Sequence, residues 1–311
     1  MMNKEKNIIV VAGPTAVGKT KFAIEVALAM GGEVVSCDSM QLYKYMDIGS
    51  AKPTAEERSQ VKHYLVDEID PGQSFSVAEY QRLAKSAMSE IFENHKVPVI
   101  AGGTGLYLNS LLYEMDFSGA PQDSKLRAEL EEEAKLHGPE HLHNRLKDHD
   151  PIAASRIHPN NVKKVVRALE GALSGNPITD FRDCKEKCKD YDPILIGLTR
   201  NREELYDRIN RRVDILVEEG LFEEVEGLLS RGLTEDDISM KGIGYKEIIG
   251  YFHGRYDREE AIELIKKNTR HLAKRQLTWF RRYEDMKWFN ISEYASDEEA
   301  IEDMITWLKN R

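Results

Sequence analysis

Apolar residues follow two different rhythms along this 311-residue chain. Residues 8–12 form an unbroken apolar run stopped at Gly13, the pattern of a strand buried on both faces. From Lys19 to Met30 the spacing becomes helical, with Phe22, Ala23, Val26, Ala27 and Met30 on one face. A second buried strand is predicted at 33–36, ending at Cys37-Asp38, and a weaker one at 64–66. Residues 76–94 read as a helix, opened by a capping box of Ser76 and Glu79. Its stripe is Tyr80, Leu83, Ala84, Ala87, Met88 and Ile91. The next strand, 97–101, stops at Gly102-Gly103. Strand and helix alternating in this way predict an α/β fold of three layers around a central parallel sheet.

The rhythm breaks between about 114 and 192, where no strand pattern occurs. Helices are predicted at 124–137, 140–148, 151–157 and 161–174, punctuated by Gly138, Asp150-Pro151, Pro159 and Gly175-Asn176-Pro177. The next buried-strand pattern is 193–198. Connections within parallel sheets are usually far shorter than this gap. The expected organisation is therefore a catalytic core of residues 1–115 and 193–311 interrupted by a helical insert at 116–192. Beyond Leu198 the chain reads as helical. One helix is expected to be capped by Asn201 and Glu204 and to run to Gly220, and a second covers 222–231. A long one opens at Asp257 and Glu260 and reaches about Tyr283, and a last one opens at Ser296 and Glu299.

Hydrophobic residues make up 41% of the chain, enough for a packed core. Lysine and arginine number 44 against 54 acids, a net charge of −10. That balance argues against nucleic acid without excluding a local basic face, because partners feel nearby charges more than distant ones. Two stretches do depart from the acidic background. One contains Lys266, Lys267, Arg270, Lys274, Arg275, Arg281 and Arg282 with no acid among them. The other contains Lys163, Lys164 and Arg167. Each is either a solvated helix face or a contact for a phosphate-rich polymer. The three cysteines form no disulfide or zinc framework, and Cys184 and Cys188 lack a second pair. Reduced thiols, the absence of a signal-peptide pattern and the lack of any run of ~20 apolar residues fit a soluble cytoplasmic protein without membrane association.

The segment Gly13-Pro14-Thr15-Ala16-Val17-Gly18-Lys19-Thr20 fits the phosphate-binding loop G-x-x-x-x-G-K-[ST], after a strand and before a helix. Its glycines let successive N–H groups turn inward, and the helix N-terminus adds partial positive charge. Lys19 supplies a full charge, and the Thr20 hydroxyl suits Mg²⁺. The loop fits a diphosphate or triphosphate without saying what the phosphates are attached to. Asp38 lies at the carboxyl edge of the sheet, where ligands bind in open α/β folds. It is either a proton acceptor or magnesium-water ligand, or an ordinary turn cap. Gly102-Gly103-Thr104-Gly105 is either a second contact loop or a tight turn. Arg208 and Arg212 share a helix face and suit a pyrophosphate clamp, unless Glu203 and Glu204 neutralise them. No aspartate ends the 97–101 strand, and the guanine motif of GTPases is missing. Asp116-Phe117-Ser118-Gly119 has switch-motif spacing but follows no clear strand. A small-metabolite kinase explains the loop and Asp38 but not the basic stretches. A nucleic-acid-dependent ATPase lacks its usual second aspartate.

Taken in order, these motifs resemble the bacterial tRNA dimethylallyltransferases, also called tRNA isopentenyltransferases. The resemblance covers nearly the whole chain. It runs from Gly13–Thr20 through Asp38-Ser-Met-Gln-Leu-Tyr43, Met46-Asp-Ile-Gly49, Ala51-Lys-Pro53 and Gly102-Gly-Thr-Gly-Leu-Tyr107. It continues through Asp150-Pro151, Arg156-Ile157, Arg167-Ala-Leu-Glu170, Gly244-Tyr-Lys-Glu247, Ala273-Lys-Arg-Gln276 and Thr278-Trp-Phe-Arg281. The family usually has Gly where Tyr45 stands and Thr where Ser50 stands, and often Asp and Arg where Asn161 and Lys164 stand. The resemblance implies transfer of a dimethylallyl group from dimethylallyl pyrophosphate to N6 of the adenosine 3′ of the anticodon, position 37, in tRNAs reading codons that begin with U. It makes Asp38 the general base and Thr20 the Mg²⁺ ligand. It places Gly13 to Thr20 on the pyrophosphate and Arg212, rather than Arg208, on the leaving group. It also implies tRNA contacts at Asp38, Ser39, Met40, Gln41, Thr104 and Arg127. Further contacts are implied at Lys163, Lys164, Val165, Val166 and Arg167, and at Lys241, Gly242, Ile243, Gly244, Tyr245 and Lys246. No protein partner is implied.

Overall fold

The computed structural model describes residues 6–115, 124–175 and 186–311. The chain divides into two compact units, Met1–Leu112 with Cys188–Arg311, and Tyr113–Lys187. These bounds lie within a few residues of those read from the change in apolar rhythm. Cys184 and the Asp116–Gly119 segment fall outside the described residues.

In the larger unit six strands form one sheet: β1 (Asn7–Ala12), β2 (Gly32–Ser36), β3 (His63–Tyr64), β4 (Val97–Gly102), β5 (Asp192–Thr199) and β6 (Lys287–Asn290). Their spatial order is β3-β2-β4-β1-β5-β6, and every pairing is parallel. All strands therefore end at one edge, and β1 sits between β4 and β5, where the direction of winding reverses. The third strand is shorter than expected and begins one residue earlier. Leu65 and Asp67 adopt positive φ angles of 61° and 62°, which turns the chain out of the sheet. β6 was not foreseen. It is a four-residue edge strand in which only Phe289 is fully buried, too short for a periodicity to show.

Helix α1 (Lys19–Met30) follows β1 and buries Phe22, Ala23, Ile24, Val26 and Ala27. Then come α2 (Ala55–Gln60), α3 (Val77–Glu93), with the expected Ser76–Glu79 capping box, and α4 (Gly105–Leu112). The Leu112 carbonyl accepts the N–H of Cys188 at 2.9 Å, so the chain leaves the larger unit and re-enters it at adjacent points. In between, the smaller unit holds α5 (Ser124–His137), α6 (Pro139–His149), α7 (Pro151–Arg156) and α8 (Val162–Leu173). These four helices bury their own core of Leu130, Leu142, Leu146, Val165, Val166 and Leu169.

The larger unit resumes with α9 (Arg202–Glu218), α10 (Leu221–Ser230), α11 (Tyr245–Phe252), α12 (Arg258–Phe280) and α13 (Asp297–Lys309). Asp257 and Ser296 cap their helices as predicted. Asn201 does not cap α9 through its side chain. Its Oδ1 instead accepts from Asn290 at 3.2 Å, and Glu204 is engaged by Arg200 and Ser292. One core is built from the sheet with α1, the start of α9 and α13, and a second from α9 to α12 with Tyr43 and Met46.

Candidate active site

The sheet's reversal point carries the loop from Gly13 to Thr20. Gly13 is required because a Cβ there would lie 2.7 Å from the Leu198 carbonyl oxygen. Gly18 has φ 111° and Ala16 has φ 63°. The left-handed region costs an alanine about 1–3 kcal/mol, so the surroundings must hold Ala16 there. Arg208 does so by donating its Nε to the Ala16 carbonyl at 3.0 Å. Arg200 donates its Nε to the next carbonyl, that of Val17, at 3.2 Å. Gln276 of α12 accepts the Thr15 N–H at 2.8 Å and donates to the Gly103 carbonyl at 3.0 Å.

A cleft of about 700 Å³ opens over this loop, lined by Lys19, Thr20, Asp38 and Arg212 among others. Val34, Ile48, Ile215 and Leu216 give it an apolar wall. The Lys19 ammonium donates to the Pro14 carbonyl at 2.8 Å. Burial lowers the Lys19 pKa to about 8, with Asp38 opposing that shift and Arg212 adding to it. Arg212 is likewise lowered by burial and supported by Asp38. The three charges thus sense one another across the cleft. Arg208 does not line it, so the expected two-arginine clamp reduces to Arg212 on the cleft side and Arg208 behind the loop. Glu204 is taken up by Arg200 and does not neutralise Arg212.

Asp38 closes a turn and is also placed at the cleft, the position from which the other task read from its sequence position would be done. Its Oδ1 accepts the Met40 N–H at 2.9 Å, closing a turn, and the side chain still faces the cleft. Thr104 braces that turn, its hydroxyl accepting the Ser39 N–H at 3.1 Å and its own N–H donating to the Cys37 carbonyl at 3.1 Å. Gly102 permits the approach, since a Cβ there would lie 2.1 Å from the same carbonyl oxygen. The Gly102–Gly105 segment is therefore chiefly a tight turn supporting Asp38. The adjacent Cys37 thiol is pushed up to about 12 by burial and stays protonated.

Among the described residues no cluster of three or more His, Cys, Asp or Glu side chains could hold a metal. Thr20 lines the cleft, and its hydroxyl has no hydrogen-bond partner among the described residues. A single hydroxyl beside a phosphate cradle fits Mg²⁺, which keeps several waters and takes its other ligands from substrate phosphates.

The residues expected at an RNA interface divide by exposure. Gly242 packs on Met40, where a Cβ would lie 2.6 Å from the Met40 Cε, so the Asp38–Gln41 turn and the Lys241–Lys246 segment are neighbours. Ile243 is partly buried there, and Gly244 carries φ 97°. Lys241 and Lys246 are exposed. Tyr245 is not: it is fully buried and donates its hydroxyl to Glu224 at 2.8 Å. On α8, Lys163, Lys164 and Arg167 are exposed. Val165 and Val166 are core residues at 0% and 1% exposure, so their side chains cannot reach a ligand, contrary to the implied contact. Arg127 is held by Glu170 at 2.6 Å. On α12, Lys266 pairs with Asp214 at 2.8 Å and Arg270 donates to Asn210 at 2.5 Å, so both leave the basic stretch. Lys267, Lys274 and Arg275 of α12 remain exposed, as do Arg281 and Arg282 just beyond its end. Gln276 and Arg200 were missed as site residues. The first was visible only as a motif letter, and the second only as an arginine directly after a buried strand.

A phosphate loop whose lysine and threonine share a cleft with an aspartate and an arginine, at the reversal point of a parallel sheet, defines a P-loop protein shaped to hold a diphosphate or triphosphate. The chain belongs to the IPP transferase family, whose model matches residues 41–283. It is 52% identical over 299 residues to the tRNA dimethylallyltransferase of Alkaliphilus oremlandii, covering 96% of each chain. It is 50% identical to that of Clostridioides difficile, covering 99% of each. Among solved structures it resembles the tRNA isopentenylpyrophosphate transferase of Bacillus halodurans (TM-score 0.74, 43% identity, 99% and 96% of the two chains). It also resembles a eukaryotic dimethylallyltransferase acting on tRNA (TM-score 0.83, 27% identity, 98% and 80%).

Proposed function

We propose that this protein transfers a dimethylallyl group from dimethylallyl pyrophosphate to N6 of the adenosine 3′ of the anticodon, position 37, in tRNAs reading codons that begin with U. The observation that carries the chemistry is the placement of Asp38 in one cleft with Lys19, Thr20 and Arg212. The pyrophosphate lies on the loop amides of Ala16 and of Gly18 to Thr20, since Pro14 has no N–H, that of Thr15 is taken by Gln276 and that of Val17 points to the Pro14 carbonyl at 3.4 Å. Lys19 and Arg212 stabilise the charge that grows on the leaving group as the allylic C–O bond breaks. The adenine amine is a weak nucleophile because its lone pair is delocalised into the ring. Asp38 orients it and takes its proton as the N–C bond forms. With Oδ1 engaged by Met40, Oδ2 is the oxygen left for that proton. Mg²⁺, held by Thr20, supplies further neutralisation of the phosphate oxygens when bound.

The base must leave its stack to reach this cleft, at a cost of about a few kcal/mol. Exposed Lys163, Lys164 and Arg167 on α8, the exposed basic residues of α12 and just beyond its end, and Lys241 and Lys246 supply cations for the RNA backbone in an otherwise acidic chain. A tRNA substrate supports a cytoplasmic location. Protein, Mg²⁺, unmodified tRNA and dimethylallyl pyrophosphate are mixed and the digested RNA is analysed by mass spectrometry. A prenylated adenosine is expected. A phosphorylated product from a parallel reaction with ATP, and no prenylated base, would overturn the proposal in favour of a kinase.

A further inference from the structure

Arg200 follows the last residue of β5 by one position, beside the loop that leaves β1. It is 8% exposed and does not line the cleft. Its guanidinium is fixed at three points: Nη1 donates to Glu204 at 2.6 Å, Nη2 to Asp297 at 2.5 Å and Nε to the Val17 carbonyl at 3.2 Å. Glu204 is itself held by the Ser292 hydroxyl at 2.5 Å. Asp297 lies in the first turn of α13, where a carboxylate is favoured by the helix dipole. The same turn reaches the start of α1, since Glu298 accepts from Lys21 at 2.5 Å. A rigid frame thus stands behind the phosphate loop and touches it at one carbonyl.

A trans peptide is planar, with its C=O and N–H pointing in opposite directions. Holding the Val17 oxygen outward therefore turns the Gly18 N–H toward the cleft. Gly18, at φ 111°, has no side chain to resist another orientation, so the aim of that donor must come from outside the loop. We propose that Arg200 is a positioning residue for the diphosphate, fixing the Val17–Gly18 peptide from behind so that its N–H is aimed at the leaving group. The proposal rests on the pyrophosphate reading of the cleft and adds to it a residue that never touches substrate.

The test compares wild type with Arg200→Met, Arg200→Lys and Asp297→Asn, using inorganic pyrophosphate as the probe in calorimetry. Steady-state kinetics with dimethylallyl pyrophosphate, tRNA affinity and melting temperature are measured alongside. Arg200→Met is expected to weaken pyrophosphate binding and kcat/KM by about ten- to a hundredfold with tRNA affinity unchanged, as a displaced donor does. Arg200→Lys restores part of the loss, and Asp297→Asn shows a smaller loss of the same kind. If Arg200→Met does not fold, the other two variants carry the test. Unchanged pyrophosphate binding and kcat/KM in the folded variants would overturn the positioning role, as would equal losses of pyrophosphate and tRNA affinity. Wild type that fails to bind pyrophosphate overturns the cleft reading as well, which separates the two failures.

Discussion

Gln276 accepts the backbone N–H of Thr15 with one end of its amide and reaches the carbonyl of Gly103 with the other. No other side chain of that length offers an acceptor and a donor on one fork. The phosphate loop and the turn that supports Asp38 are thereby held in register by a residue 261 positions along the chain from Thr15. Gln276→Glu keeps the shape but sets a carboxylate against the Gly103 oxygen. It is expected to lower kcat/KM by about tenfold or more, the cost of leaving one such group unpaired. Gln276→Glu turning over as fast as wild type in steady-state kinetics would contradict this.

Asp38 has a turn to hold and a proton to take, and the two can be separated. Asp38→Asn keeps an oxygen for the Met40 N–H but loses the base. Transfer is expected to be lost while tRNA affinity and melting temperature stay near wild type. Asp38→Ala loses transfer and also loosens the turn. Single-turnover assays beside filter binding check both variants, and wild-type turnover by either would remove Asp38 from the chemistry.

Lys19 has its pKa lowered to about 8 by burial. A bound pyrophosphate favours the charged form and raises that pKa. Binding near pH 8 should therefore take up protons, and affinity should fall as pH rises above about 8. Calorimetry in buffers of different ionisation enthalpy measures the uptake. The difference between wild type and Lys19→Met isolates the lysine from titration of pyrophosphate itself.

Lys163 and Lys164 are exposed on α8 and have no acidic partner among the described residues. Replacing each by alanine should weaken tRNA binding and reduce the slope of log affinity against log salt by about one unit per lost phosphate contact. An unchanged slope would return these lysines to a merely solvated face.

Tyr45 stands at φ 64° where the family usually carries glycine. Strain of about 1–3 kcal/mol is offset by Arg231 stacking over its ring, worth about 0.5–1 kcal/mol at such a site. Tyr45→Gly is expected to raise stability by about 1 kcal/mol, read as a higher denaturant midpoint at unchanged slope.

The parts of this protein written in short-range pattern could be read from the sequence. The β1 run, the Gly13–Thr20 loop and the capping boxes each depend on residues a few positions apart. Asp38 was readable as a candidate because it closely follows a buried strand. What escaped depends on distant partners. Glu224 accepts the N–H groups of Asp47, Ile48 and Gly49 at 2.7, 2.7 and 3.0 Å, shaping one wall of the cleft. Nothing local to Glu224 announces this. Val165, Val166 and Tyr245 fall inside stretches matched to tRNA contacts, yet helix geometry turns them into the core. A motif letter does not say which way a side chain points.

The contact between Leu112 and Cys188 has a wider meaning. A segment whose two ends emerge side by side can be added to or removed from a folded body without re-threading it, as a tab is fitted to a finished box. The four-helix unit with its separate core is attached in this manner. A chain in which a short turn replaces residues 113–187 should still assemble the sheet and grip pyrophosphate, while losing the exposed lysines and arginine of α8 that are proposed to meet the RNA.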